Sequence, residues 1–249
     1  MNYFKLSALT VLFSTGFAAS AVQAEPVSLG ASVIYSESPY KGGDSRYLPL
    51  PLINYDGDSF YIHGFQAGYY LWKDQENQLS LTILGSPQQF DTDDTDNKQL
   101  KQLDNRHMTA LAGATWRHNA EWGTVRTTVA ADVLDNSNGY IWDLAYLYRF
   151  QFGQLSVTPG IGAVYSSENQ NDYYYGVSKR ESRRSGLASY DADDSWNPYL
   201  ELTTIYAINE SWNATLSGRY TRLSDEVKDS PMVDQSSQLT VWTGISYTF

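Results

Sequence analysis

From residue 25 onward, apolar and polar side chains alternate with a period of two. That is the mark of strands whose two faces meet different environments. Val27, Leu29, Ala31, Val33 and Tyr35 alternate with Ser28, Gly30, Ser32 and Ile34. Val125, Thr127, Val129, Ala131 and Val133 oppose Thr124, Arg126, Thr128, Ala130 and Asp132. Tyr140, Trp142, Leu144, Tyr146, Tyr148 and Phe150 oppose Ile141, Asp143, Ala145, Leu147 and Arg149. The runs are about nine to eleven residues long, the length of a tilted strand crossing a bilayer. The pattern predicts twelve strands, at 27–35, 47–55, 59–64, 66–72, 78–85, 107–118, 124–134, 140–150, 154–165, 197–207, 213–223 and 239–249. No 3.6-residue stripe interrupts them. The segment 59–72 is split at Gly64-Phe65 because single-chain bacterial barrels have even strand numbers. Pro49 and Pro51 stand against this scheme, since neither can donate to a ladder. One-sided pairing or a bulge would accommodate them.

Two kinds of connection alternate. Asp56-Gly57-Asp58, the stretch near Glu121-Trp122, Phe152-Gly153 and Asn209-Glu210-Ser211 are tight. Residues 36–46, 91–102, 166–195 and 224–237 are long and polar. Short turns on one rim and long loops on the other describe an outer-membrane barrel. The expected fold is all-β: one closed antiparallel transmembrane β-barrel of about 12 strands, with short periplasmic turns and long extracellular loops.

Composition sharpens this reading. Aromatic residues make up 14%, with 20 Tyr and 7 Trp, the side chains that sit at a boundary between apolar and wet surroundings. Cysteine is absent, which excludes disulfides and thiolate chemistry. The formal charge of -11 makes nucleic acid a poor partner. Residues 1–24 read as a signal peptide: Lys5, an apolar stretch from Leu6 to Ala19, and the small-x-small site Val22-Gln23-Ala24. The barrel is expected to occupy 25–249. No later segment approaches the roughly 20 apolar residues of a spanning helix, so any membrane is crossed with strands.

The alternation leaves open which face looks inward, because a soluble barrel keeps its apolar face inside. Export and the aromatic ends of the apolar faces favour apolar-out. So do the charges on the opposite face: Arg117, Arg126, Asp132, Asp143, Arg149, Glu201 and Arg219. These would be costly in a dry core but suit a wet lumen, where opposite charges can pair. The chain ends on Phe249, in step with Val241, Thr243, Ile245 and Tyr247. The last strand is expected to close on the first and leave no edge in lipid.

Candidate chemistry concentrates in 166–195. Tyr173, Tyr174 and Tyr175 precede Lys179, Arg180, Arg183 and Arg184, a basic cluster in an acidic chain. One reading is an inward constriction or a patch for anions and lipopolysaccharide, since Arg forks fit phosphate and carboxylate. The other is a solvated loop whose arginines pair with Glu181, Asp191, Asp193 and Asp194. The acidic runs Asp91–Asp96 and Asp225-Glu226 lack the glycine and closing glutamate of an EF-hand and read as solvated loop. His63, His107 and His118 accompany no nucleophile motif, and no cofactor or metal site is expected.

Several unusual peptides carry a family likeness: "LDNSNG" at 134–139, "SENQNDYYYGVS" at 167–178, "ESRRSGL" at 181–187, "DSWNPYLEL" at 194–202 and "RYTRLSDEVKDSPMVD" at 219–234. Together with "PLINYDGDSFY" and "GYYLW" nearer the start, they make the chain resemble the MipA/OmpV family of outer-membrane proteins. The resemblance implies a barrel in the outer membrane, in contact with its lipid and lipopolysaccharide. It also implies a non-enzymatic scaffold that bridges a murein lytic transglycosylase and a bifunctional penicillin-binding protein. It supplies no catalytic residues. The competing expectation is a small porin for polar or anionic solutes.

Overall fold

The computed structural model describes residues 27–249; the expected signal peptide lies outside them. The sheet closes on itself, because β1 (Val27–Ser36) pairs antiparallel with both β2 (Arg46–Asp56) and the last strand, β13 (Ser237–Thr248). Between them run β3 (Phe60–His63), β4 (Gln66–Lys73), β5 (Asn77–Ser86), β6 (Thr109–Ala120), β7 (Gly123–Asp132), β8 (Tyr140–Leu147), β9 (Phe150–Phe152), β10 (Leu155–Ser166), β11 (Ser195–Ala207) and β12 (Trp212–Arg222). β8 and β9 lie end to end against β10, so the thirteen segments build twelve barrel strands. The strand expected over 140–150 is therefore broken at Tyr148-Arg149. The strand expected from 107 starts at Thr109, and the one expected to run to 134 stops at Asp132.

Outward positions hold Leu29, Val33, Leu81, Ile83, Val129, Leu144, Ile161, Leu200, Leu216 and Ile245, each 37–59% exposed. Inward positions hold Ser80, Thr82, Thr115, Thr128 and Ser246, all buried. Tyr61, Ser80, Thr82, Thr115 and Thr128 form a chain of hydroxyl hydrogen bonds across the lumen wall. An apolar band outside and hydrogen-bonded polar groups inside are what lipid demands of a strand-built wall.

The split at Gly64-Phe65 is present, with Gly64 at φ +59° in the turn. The hairpin it makes is short. β3 meets β2 only from Asn54 to Asp56, so Arg46–Leu52 is paired with β1 alone. Gly64 N–H donates to Ile53 O, which places the backbone groups of the odd-numbered β2 residues on this unpaired side. Pro49 and Pro51 sit there. One-sided pairing accounts for both prolines.

Candidate functional site: the capped lumen

The connections 57–59, 74–76, 121–122, 153–154 and 208–211 lie with both ends of the described chain at one rim. The long segments 37–45, 87–108, 167–194 and 223–236 rise from the other. The sequence reads them as long polar loops, with 166–195 open to two readings, an inward constriction or a solvated loop. Instead they fold together over the mouth around a common apolar core of Tyr40, Phe90, Leu100, Leu103, Tyr174, Tyr175, Val177, Ala192, Leu223, Val227, Met232 and Val233. Because these segments leave opposite sides of the wall, a shared core requires them to cross the opening. Backbone polar groups are satisfied across the junctions: Tyr40 O–H donates to Tyr174 O, Tyr174 O–H to His107 O, and Ser230 O–H to Tyr175 O.

Residues 167–194 carry two helices, α1 (Glu168–Tyr175) and α2 (Lys179–Ser185), where no helix was expected. Both are too short to show a stripe. α2 begins with a capping box, in which Ser178 and Glu181 bond each other's backbone N–H, and ends on Gly186 at φ +75°. The tyrosine triplet is structural. Tyr174 and Tyr175 are core residues, and the Tyr173 hydroxyl oxygen accepts the N–H of His107. Arg180 and Arg184 do not pair within their own loop; both converge on Asp104, at 2.6 and 2.9 Å. Lys179 and Arg183 are exposed.

Beneath this lies Glu181, 3% exposed. Burial pushes its carboxyl pKa up, but the Asp104 N–H, the Ser178 hydroxyl and the Arg106 guanidinium outweigh that and hold it below the usual range. Arg184, with Arg180, holds Asp104 below its usual range as well. A third helix, α3 (Asp225–Lys228), is capped by Ser224 and carries the second acidic run, with Asp225 paired to Lys228. In the first run, Asp91 caps a single 3₁₀ turn and Asp94 pairs with Arg46.

In the lumen, four of the expected residues come together. Arg126 lies 3.4 Å from Glu201 and 3.6 Å from Asp143; Arg219 lies 2.7 Å from Glu201 and 3.4 Å from Asp143. Tyr199, which the alternation alone did not single out, joins them. Its hydroxyl donates to Asp143 at 2.9 Å, and its ring lies 3.9 Å beneath the Arg219 guanidinium. Glu201 and Arg219 are direct partners across β11 and β12. Two expected lumen residues are elsewhere. Asp132 ends β7, and its carboxylate accepts the N–H groups of Leu134, Ser137 and Asn138 in the following loop. Arg149 is exposed in the break between β8 and β9.

The histidines stand in three settings. His63 faces Asp56 at 3.4 Å inside the barrel, His107 is tied to the cap, and His118 stacks beside Trp116. Among the described residues, no group of three or more His, Cys, Asp or Glu could hold a metal ion.

Over 249 residues, the whole of both chains, the sequence is 49% identical to the MltA-interacting protein of Escherichia coli (strain K12). It is 46% identical over 241 residues to the putative outer membrane protein YiaT of Escherichia coli O157:H7, covering 97% of this chain and 98% of that one. A crystal structure of an outer membrane channel from Pseudomonas putida F1 aligns with 92% of this chain and 97% of its own, at 10% identity and a TM-score of 0.47. The family described as MltA-interacting protein MipA matches residues 29–249. An outward apolar band, a polar lumen and a likeness that runs from end to end agree: this is an outer-membrane barrel, and the chain belongs to the MipA family.

Proposed function

We propose that the protein is a non-enzymatic scaffold. It binds a murein lytic transglycosylase of the MltA kind at its short-turn rim and brings it to a bifunctional penicillin-binding protein. One observation carries this reading: the long loops meet over one mouth around a twelve-residue apolar core. A barrel closed on that side turns its accessible surface to the periplasm. Full-length likeness to a relative named for its interaction with MltA supports the same choice. The rim also has something to offer a partner. Phe60, Trp122, Phe152, Ile208 and Phe249 are 44–75% exposed there, and aromatic anchors supply much of the binding energy of protein interfaces. Stable interfaces bury about 800 Å² per partner, which several turns together can present.

The test is capture of purified transglycosylase on the reconstituted barrel, with Trp122→Ala and Phe152→Ala as rim variants. Binding that weakens in both is expected. No capture by the unaltered protein would end the scaffold reading.

A channel for small polar or anionic solutes is the second reading, supported by the Arg126, Asp143, Glu201 and Arg219 network in the lumen. Discrete conductance steps in a planar bilayer, larger after deletion of 167–194, would select it.

A further inference from the structure

Lys73, Gln78, Arg117 and Arg126 stand in one row across four neighbouring strands. Lys73 is the direct partner of Gln78, Gln78 of Arg117, and Arg117 of Arg126. The row faces the lumen, because Gln78, Arg117 and Arg126 are each two residues from buried Ser80, Thr115 and Thr128 on their own strands. It lies low in the wall. Lys73 ends β4, Gln78 is the second residue of β5, and Arg117 and Arg126 are each three residues from the tight turn that joins β6 to β7. At about 3.3 Å per residue, the row is within roughly 10 Å of the short-turn rim. The cap closes the other mouth, so a solute reaches the row from the periplasm.

The ends of the row are held and its middle is not. Lys73 Nζ pairs with Asp56 at 2.6 Å and lies 4.4 Å from the centre of the Tyr70 ring. Arg126 is taken by Asp143 and Glu201. Those carboxylates are engaged elsewhere too: Asp56 accepts the Tyr70 hydroxyl, and Asp143 and Glu201 are shared with Arg219. The half-buried side chains of Gln78 and Arg117 make no hydrogen bond or ion pair with any described residue. Beneath the cap, the lumen wall thus sets four cations, the three of the row and Arg219, against three carboxylates, Asp56, Asp143 and Glu201. One positive charge is left over, at Arg117, in a chain whose net charge is -11. A guanidinium opposite another guanidinium, partly desolvated and without a counter-ion, weakens the sheet. Breaches of local rules of this kind are expected at functional sites. The group that would complete the row is an anion.

We propose that Arg117 and Gln78 bind the carboxylate of a small periplasmic solute, the Arg117 fork gripping its two oxygens and the Gln78 amide donating a further hydrogen bond. Three observations choose this ligand. The free donors are a planar guanidinium and an amide on adjacent strands, a set that fits a planar carboxylate. The surplus of one charge matches a monoanion, whereas a phosphate dianion would add repulsion from Asp56, Asp143 and Glu201. The row is recessed within the rim, which admits a small solute rather than a docked protein surface. The site needs neither conductance nor a transglycosylase, since a lumen closed at its far mouth can hold a solute without passing it.

The experiment titrates fluoroacetate into the full barrel reconstituted in lipid nanodiscs and follows the fluorine resonance at constant ionic strength. Saturable broadening is expected, reversed by acetate and not by the same concentration of chloride. Arg117→Gln should weaken binding about tenfold or more, the loss of a charge-assisted hydrogen bond. Arg117→Lys, which keeps the charge and lacks the fork, should recover only part of it, and Gln78→Leu should weaken binding while Arg117 is intact. Relief of the like-charge pair keeps Arg117→Gln folded, and a retained heat-modifiable band on a denaturing gel checks this. No saturable broadening with the unaltered barrel, or equal broadening in Arg117→Gln, would overturn the proposal. Inorganic phosphate that displaces fluoroacetate better than acetate does would overturn the carboxylate assignment.

Discussion

Arg106 Nη2 lies 2.9 Å from Glu181 Oε1, with side chains 10% and 4% exposed. The pair ties the loop between β5 and β6 to the start of α2 and sits under the Asp104 ion pairs. Removing one partner of a buried pair leaves a desolvated charge, at a cost of about 3–5 kcal/mol. Glu181→Ala is therefore expected to release the cap. Hydrogen exchange of amides in 167–194 should accelerate strongly, while amides of β6 and β7 keep their protection.

The same pair sets an acid limit. Glu181 and Asp104 have folded pKa values below their unfolded ones. Such groups contribute stability that is complete above the unfolded pKa, about 4.3 for Glu and about 3.9 for Asp. It is lost as pH falls through the folded pKa. Cap protection should be flat from about pH 8 to pH 5 and fall below about pH 4. In Glu181→Gln, whose cap is weaker throughout, the acid fall should be shallower. An unchanged acid limb would remove Glu181 from the cause.

Arg117 and Arg126 are direct cross-strand partners on the lumen face. Arg126 is neutralised by Asp143 and Glu201; among the described residues, no ion pair includes Arg117. Like charges placed opposite each other destabilise a sheet, and relieving the pair recovers about 0.2–1 kcal/mol. Arg117→Gln is expected to raise the urea midpoint of the reconstituted barrel. Arg126→Gln should lower it by leaving two carboxylates short of a partner. Equal losses in both variants would show that Arg117 has a carboxylate of its own.

Much of the barrel was legible because a wall between lipid and water imposes a period of two on every strand. The parity argument found the break at Gly64-Phe65; Pro49 and Pro51 left a bulge or one-sided pairing open, and the pairing of β2 selects the second. Parity failed at strand ends. Asp132 keeps lumen phase but is the last residue of β7, so its carboxylate turns to the loop. Arg149 lost its phase to the break after Leu147. The cap was not legible for a different reason: its contacts span long stretches of sequence, as from Asp104 to Arg184, and α1 is polar along most of its length. One local signal was readable, the Ser178-x-x-Glu181 capping box. Tyr199 was hidden among aromatics that serve the outer wall, and only three-dimensional pairing sets it against Asp143.

Closure of the barrel should depend on Gly30. A Cβ there would lie 2.0 Å from Ile245 O across the β1–β13 seam. At that distance backbone must move, and the seam also carries the Ser28–Thr248 hydroxyl bond and the Phe249 N–H bond to Val27 O. Gly30→Val is expected to abolish the compact, heat-modifiable band on a denaturing gel. Gly218 on β12 has nothing within 4 Å of a built Cβ, so Gly218→Ala should leave stability within about ±0.5 kcal/mol. A Gly30 variant that assembles normally would mean the seam can relax.

Asp132 holds the β7–β8 loop by a single carboxylate. Oδ1 accepts Leu134 N–H at 3.0 Å, and Oδ2 accepts Ser137 N–H at 2.6 Å and Asn138 N–H at 3.0 Å. The Thr109 hydroxyl also donates to Oδ1. Asp135 and Asn138 adopt φ of 59° and 53° in this loop, a conformation these residues tolerate better than most. Removing the carboxylate leaves three amide donors to find other partners, at about 1–3 kcal/mol where water does not replace it. Asp132→Ala should speed hydrogen exchange at 134–138 without loosening β7. Asp132→Asn keeps one oxygen acceptor and should recover part of the protection. Asn138→Gly, which suits the positive φ, should change little. If Asp132→Ala instead weakened the ion-pair network of Arg126 and Arg219, the side chain would belong to the lumen after all.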